Sequence, residues 1–190
     1  MLAAAEHPRE NTRLHVLRDT GLFKSEDDIE YEKFVTIASA LAQTPIALFS
    51  LIGKDSQWFK AKIGLPISET PRSVSFCGHA ILDEQHSLVV EDATTDARFS
   101  DNPLVTGDPG IRFYAGIPLR LSKDRLPIGT ICVIDRKPRK LGPDILSALE
   151  GLGEILEQHI TYKITLQRQA EKLRKTEEQV TELLRARATR

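Results

Sequence analysis

Two segments, IALFSLI at 46–52 and IGTICVI at 128–134, are apolar at nearly every position. A half-buried strand alternates between apolar and polar residues. A strand that is apolar throughout has both faces covered. These two runs therefore demand a sheet with helices on both sides. The first run is followed by GKDS, which is turn chemistry, and then by QWFKAKI at 57–63, so the pair reads as a hairpin. Strands joined by such short turns are antiparallel. A further short strand is expected at 87–91 (SLVVE). Two longer ones, near 111–121 and 127–135, are joined by the polar SKDR connection. The fold class is α+β: a central antiparallel sheet of five or six strands covered by helices on both faces, with a long C-terminal helix.

The helices are placed by spacing. A short helix is expected near 12–20, with Leu14 and Leu17 on one face and Gly21 as its stop. Ser25 and Asp28 resemble a capping box opening a second helix over 27–42. No residue from Phe34 to Gly53 is charged, a length that could span a bilayer. Gln43-Thr44-Pro45 splits that stretch, and Tyr31, Phe34, Ala38 and Leu41 recur at helical spacing before the break. The reading is helix, turn and buried strand, with no membrane span. LPISETPRS is expected to be a loop leading to a third helix at 75–85, and residues 92–110 are turn-rich.

The C-terminal segment obeys a different rule. Pro143 suits a helix start, and neither Pro nor Gly occurs after Gly153. Ile145, Leu149, Leu152, Leu156, His159, Lys163, Leu166, Ala170, Leu173, Glu177, Val180 and Leu184 are spaced alternately by four and three. Nine of these twelve are apolar, so they form a heptad seam. A helix over 143–186 would be about 65 Å long. A domain of this size cannot cover such a rod, so its distal half calls for a partner. The chain thus divides into a loose lead-in (1–10), one α+β domain (11–160) and a helical coiled-coil tail (161–190). The expected partner is a second copy, joined through Leu166, Leu173, Val180, Leu184 and the N-terminal helix.

Composition narrows function. The 190 residues carry a net charge of −1, so no global field draws the chain onto nucleic acid. The tail 161–190 is net +4, but with mixed signs that suit a solvated helix face. Cys77 and Cys132 belong to no CxxC pair and offer neither a zinc site nor a disulfide framework. Two isolated free thiols suit a reducing cytoplasm, and MLAAAEHPRE lacks the apolar core of a signal peptide.

Four strings occur in order: FCGHAI (76–81), VVEDATTDARFSDNPLV (89–105), IRFYAGIPLR (111–120) and IGTICVID (128–135). Together they resemble the GAF family, in the subgroup found ahead of diguanylate cyclases and histidine kinases. The resemblance covers about residues 12–160. It implies a non-catalytic sensor with a pocket between the sheet and the third helix, or a dimerising spacer. Trp58, Phe76, Cys77, His79, Asp92, Phe113 and Tyr114 are the candidate ligand-binding residues. Trp58 and Phe59 point to opposite faces of their strand, as do Phe113 and Tyr114. Asp92, Asp96, Arg98 and Asn102 fall in the long loop, where they can fix turns or clip the loop shut. Cys77 could be a nucleophile of a thiol-dependent reductase, and the two cysteines do not match the cysteine set of free methionine sulfoxide reductases. A lone His79 is not a metal site. Bilin-binding members place Cys directly before His, whereas Gly78 separates them here. No cofactor is assigned and the ligand is left open. The purified protein is therefore expected to be colourless. An absorption spectrum after expression with haem and bilin supply checks this, and a stoichiometric visible band would contradict it.

Overall fold

The computed structural model describes residues 2–25, 29–83 and 86–188. Residues 1–157 and 158–190 form two compact units.

Within the first unit, α1 (Glu10–Asp19) and α2 (Ile29–Ala42) precede β1 (Ile46–Ile52) and β2 (Ser56–Ile63). Then come β3 (Glu69–Pro71), a 3-10 turn (Arg72–Val74), α3 (Phe76–Ala80), β4 (Leu88–Val90) and α4 (Pro103–Thr106). The strands β5 (Phe113–Leu121) and β6 (Leu126–Asp135) lead into α5 (Pro143–Ala188). All six strands form one antiparallel sheet in the order β3-β2-β1-β6-β5-β4. The two apolar runs are neighbours at its centre, with Leu48 opposite Cys132 and Phe49 opposite Ile131. Every residue of β1 and β6 is buried.

Alternation along these strands sorts the core. One face carries Ala47, Phe49 and Leu51, and Tyr31 of α2 packs on Phe49 with ring centroids 5.3 Å apart. Gly153 of α5 lies against Ile117 and Ile131 on the same face; a Cβ there would meet Ile117 at 2.8 Å. The opposite face carries Ile46, Leu48, Ile52, Tyr114, Cys132 and Ile134, which join Phe76, Ala80 and Ile81 of the α3 region in one apolar cluster. Helical cover on both faces is thus the observed arrangement.

Several expectations are corrected. α2 buries Tyr31, Val35, Ala38 and Ala42, so its inward face is rotated from the expected Phe34 and Leu41. Gln43, at φ 51°, ends it in the left-handed region. The third helix is a single turn, Phe76–Ala80, capped by the Ser75 hydroxyl accepting from Gly78 N at 2.8 Å. Gly78 weakens propagation, and the chain turns at Ile81 to bury that side chain. LPISETPRS is not all loop, because Glu69–Pro71 pairs with β2 as an edge strand. The turn-rich stretch holds α4, capped by Asn102 with Pro103 in its first turn. Asp28 of the expected capping box lies outside the described residues.

In α1 the buried pair is Arg13 and Leu17, rather than Leu14 and Leu17. Arg13 is fully buried, and each of its three guanidinium nitrogens has a partner. It donates to Glu10 at 2.5 and 3.1 Å and to the Ile52 carbonyl at 2.7 Å. Arg72 reaches the same carboxylate at 2.6 Å and the Gly53 carbonyl at 3.1 Å. One carboxylate therefore ties α1, the β1–β2 turn and the segment entering α3. Burial raises the Glu10 pKa, but the two guanidinium groups outweigh it and hold the carboxyl at about 2 instead of 4.5.

A folded pKa below the unfolded one gives stability that is fully present above pH 4.5 and is lost as pH falls toward 2. Allowing for the solvent that reaches this carboxylate, the contribution is about 2 kcal/mol. Urea unfolding between pH 5 and 2 should show that loss in the wild type. Glu10→Gln should be less stable at neutral pH and flatter across that window. Parallel pH profiles for the two proteins would contradict the assignment.

Candidate functional site

The site is built where α3 meets the sheet. Ser75 and the five residues after it set the Phe76 ring under the helix. That ring stacks on Phe99 of the 92–102 loop at a centroid distance of 3.9 Å, with Tyr114 of β5 at 5.3 Å. Tyr114 can lie flat on its strand only because Gly116 follows it. A Cβ at Gly116 would stand 2.5 Å from the Tyr114 ring carbon that bears the hydroxyl. The three rings are almost completely buried. Phe76 and Tyr114, together with Leu48, Phe59, Cys77 and Ile111, line a mostly apolar cavity of about 30 Å³ that Gln57 and Thr70 also edge. That volume suits one water or a molecule of similar size. A ligand of metabolite size does not fit in this conformation.

Beside the cavity the two cysteines come together. Cys77 of α3 and Cys132 of β6 are both free and buried, with sulfurs 3.8 Å apart. The Cys77 thiol donates to the Ser50 hydroxyl at 3.6 Å. The Tyr114 and Thr130 hydroxyls are buried nearby without a hydrogen bond of ordinary geometry. Burial pushes the Cys132 thiol well above its ordinary range, with the neighbouring Cys77 adding to the rise. Burial opposes ionisation of Cys77 too, but Cys132, Thr130, Tyr114 and Ser50 pull its thiol downward. Cys77 is therefore the member that ionises first.

Of the seven residues singled out in the sequence, Phe76, Cys77 and Tyr114 meet at this site. Trp58 and Phe113 do not. Trp58 packs edge-on against Phe23 at 6.4 Å and lies near Lys60, which in turn sits over Tyr31 of α2. Phe113 precedes Tyr114 on β5 and so points to the other face of the sheet. His79 is half-buried; its Nε2 lies 2.9 Å from the Leu2 carbonyl oxygen and its ring meets Phe99 edge-on at 4.9 Å. Burial lowers its pKa first, so it serves as a neutral hydrogen-bonding group at the edge. Asp92 accepts from Thr94 N and Oγ1 at 3.0 and 2.7 Å and fixes a turn. Asp96 binds Arg98 through two nitrogens at 2.9 and 2.6 Å, which is the expected clip. Asn102 joins the loop to Val74 O at 3.0 Å. Among the described residues no group of three or more His, Cys, Asp or Glu could hold a metal ion.

Sequence reasoning missed Phe99, Gln57 and Thr70. Gln57 of β2 and Thr70 of the edge strand β3 stand opposite each other, and their role depends on register. A second opening, of about 380 Å³, lies on the other face between β5, the turn after it and Glu150, Glu154 and Glu157 of α5. There Glu157 accepts from Arg120 N at 2.7 Å and from Arg125 at 2.9 Å, and Glu150 accepts from the Ser87 hydroxyl at 2.8 Å.

The sequence profile of the GAF domain family matches residues 23–160. Together with the sheet order and the α3 site, this places the chain in the GAF domain family. The chain is 45% identical over 139 residues to the cyclic di-GMP phosphodiesterase PA2567 of Pseudomonas aeruginosa. That match covers 73% of this chain and spans 23%, about a quarter, of the relative. The GAF domain of an Acinetobacter phosphoenolpyruvate-protein phosphotransferase shares the fold at a TM-score of 0.58 and 17% identity, over 83% of this chain and 98% of that one. The type II free methionine-R-sulfoxide reductase of Thermoplasma acidophilum does so at 0.56 and 13%, over 69% and 89%. Likenesses at these identities speak for the fold alone.

If the ring stack is core, Phe99→Ala should cost about 3–5 kcal/mol in chemical denaturation. A loss below about 1 kcal/mol would mean that the rings line an open site instead.

Proposed function

We propose that this chain is a sensory or regulatory GAF module that passes a conformational bias along α5 to a second copy of itself. The observation that carries this reading is α5. It runs unbroken from Pro143 to Ala188, and Leu166, Leu173, Val180 and Leu184 are exposed on the single chain. Their spacing is that of a coiled-coil seam. Burying each is worth about 1.5–3 kcal/mol at most, and ordering the helices offsets much of it. Polar seam positions Lys163 and Glu177 keep the pairing weak enough to be biased. Two identical outputs are driven together only when both tails point the same way, so the pair is parallel.

The likeness to a cyclic di-GMP phosphodiesterase supports a role in signalling of that kind, with this chain supplying regulation. A ligand that acts here must bind two packings of the domain unequally. The single-turn α3 over the ring stack is the element that can be displaced. A cytoplasmic location fits two reduced thiols, and among the described residues no helix is long and apolar enough to cross a membrane.

A second reading, a dimerisation module without ligand, is favoured by the cavity of only about 30 Å³. The same volume leaves no room for methionine sulfoxide beside Cys77, which weighs against a thiol-dependent reductase. Native mass spectrometry separates the first two: a small molecule retained stoichiometrically from cells excludes the ligand-free module.

Light scattering tests the pairing. The full chain should have the mass of a dimer, and Leu173→Asp should shift it toward monomer, because two carboxylates would share one seam layer. Equal masses for both proteins would remove the tail as the dimerisation element.

A further inference from the structure

We infer that Cys77 and Cys132 form a peroxide-responsive dithiol, closed to a disulfide by small peroxides that enter the cavity beneath α3. Four observations converge. The sulfurs are 3.8 Å apart, so closing by roughly 1.7 Å brings them to bonding distance. The cavity of about 30 Å³ is edged by Cys77 but not by Cys132, which makes Cys77 the attacking sulfur. Tyr114 and Thr70 also line the cavity, and the buried Thr70 hydroxyl has no hydrogen-bond partner. Thr130, fully buried and opposite Ser50 in the β1–β6 ladder, sets its hydroxyl beside both sulfurs. The cavity has the size for a two-oxygen molecule and excludes a thiol the size of glutathione.

The chemistry balances. The Cys77 sulfur attacks one peroxide oxygen, the O–O bond breaks, and the departing oxygen takes the thiol proton and leaves as water. Cys77 is then a sulfenic acid. The Cys132 sulfur attacks it, the S–S bond forms, the S–O bond breaks, and a second water leaves with the Cys132 proton. Two thiols are oxidised by two electrons and one hydrogen peroxide is reduced to two waters.

Closure draws α3 toward β6. That helix carries Phe76, stacked on Phe99, and His79, bound to the Leu2 carbonyl. Oxidation therefore reaches the loop and the N-terminal segment through contacts already in place. The inference does not rest on pairing of the tails.

The test treats the full chain with hydrogen peroxide. Thiol titration in denaturant should fall from two groups per chain to none. Peptide mapping without reductant should show Cys77 linked to Cys132 within one chain, and dithiothreitol should restore both thiols. In Cys132→Ser, dimedone should trap a sulfenic acid on Cys77. In Cys77→Ser, loss of the Cys132 thiol should be at least about tenfold slower. Circular dichroism establishes that each variant is folded, and if a variant is not, the wild-type mapping decides alone. Two surviving thiols in the treated wild type, a link between chains, or Cys77→Ser oxidising at the wild-type rate would overturn the inference.

Discussion

Pairing of β1 with β6 is the constraint on which the rest depends. Both strands are buried along their whole length, so neither face of the sheet centre can be left to water. Their register then fixes what each face receives. Leu48 opposite Cys132 and Ser50 opposite Thr130 send one set of side chains toward α3. Phe49 opposite Ile131 sends the other toward α2 and the start of α5. A slip of one residue would exchange the two sets. The ring stack, the cysteine pair and the seating of Gly153 on Ile117 all follow from this one alignment.

The polar groups complete the frame where apolar burial ends. Glu10 accepts from Arg13 and Arg72 and so joins α1 to the segment entering α3. Asp96 and Asn102 hold the loop that delivers Phe99 to Phe76. These groups are spent on positioning, whereas Cys77, Cys132, Tyr114 and Thr130 are brought together without being fully satisfied. That contrast separates the scaffold from the place where chemistry or recognition can occur.

Much of this was legible in the sequence. β1 matched its apolar run because a turn bounds it on each side, and GKDS predicted the hairpin to β2. The strings FCGHAI and IGTICVID pointed to the family. Other features depend on contacts distant in sequence. Glu69–Pro71 is three residues with a proline, too short to carry a period. α3 ended after one turn because burial of Ile81 overrode the apparent helix over 75–85. Alternation showed that Trp58 and Phe59 must part, but not which one faces α3; the bulge between Ala61 and Phe59 lies at that point. The approach of Cys77 to Cys132, 55 positions apart, comes from the β1–β6 register and from α3 crossing it. Buried Arg13 was invisible because a charged residue earns no inward assignment until its partners are known.

On the proposed reading, α5 would join two copies in parallel and so carry the output. Pulsed electron resonance on the full chain, with spin labels placed in turn at Gln169 and Gln179, tests it most directly. A parallel pair predicts matching short distances between like labels at both positions. A short distance at one position and a long one at the other, or no dipolar coupling at either, would contradict it.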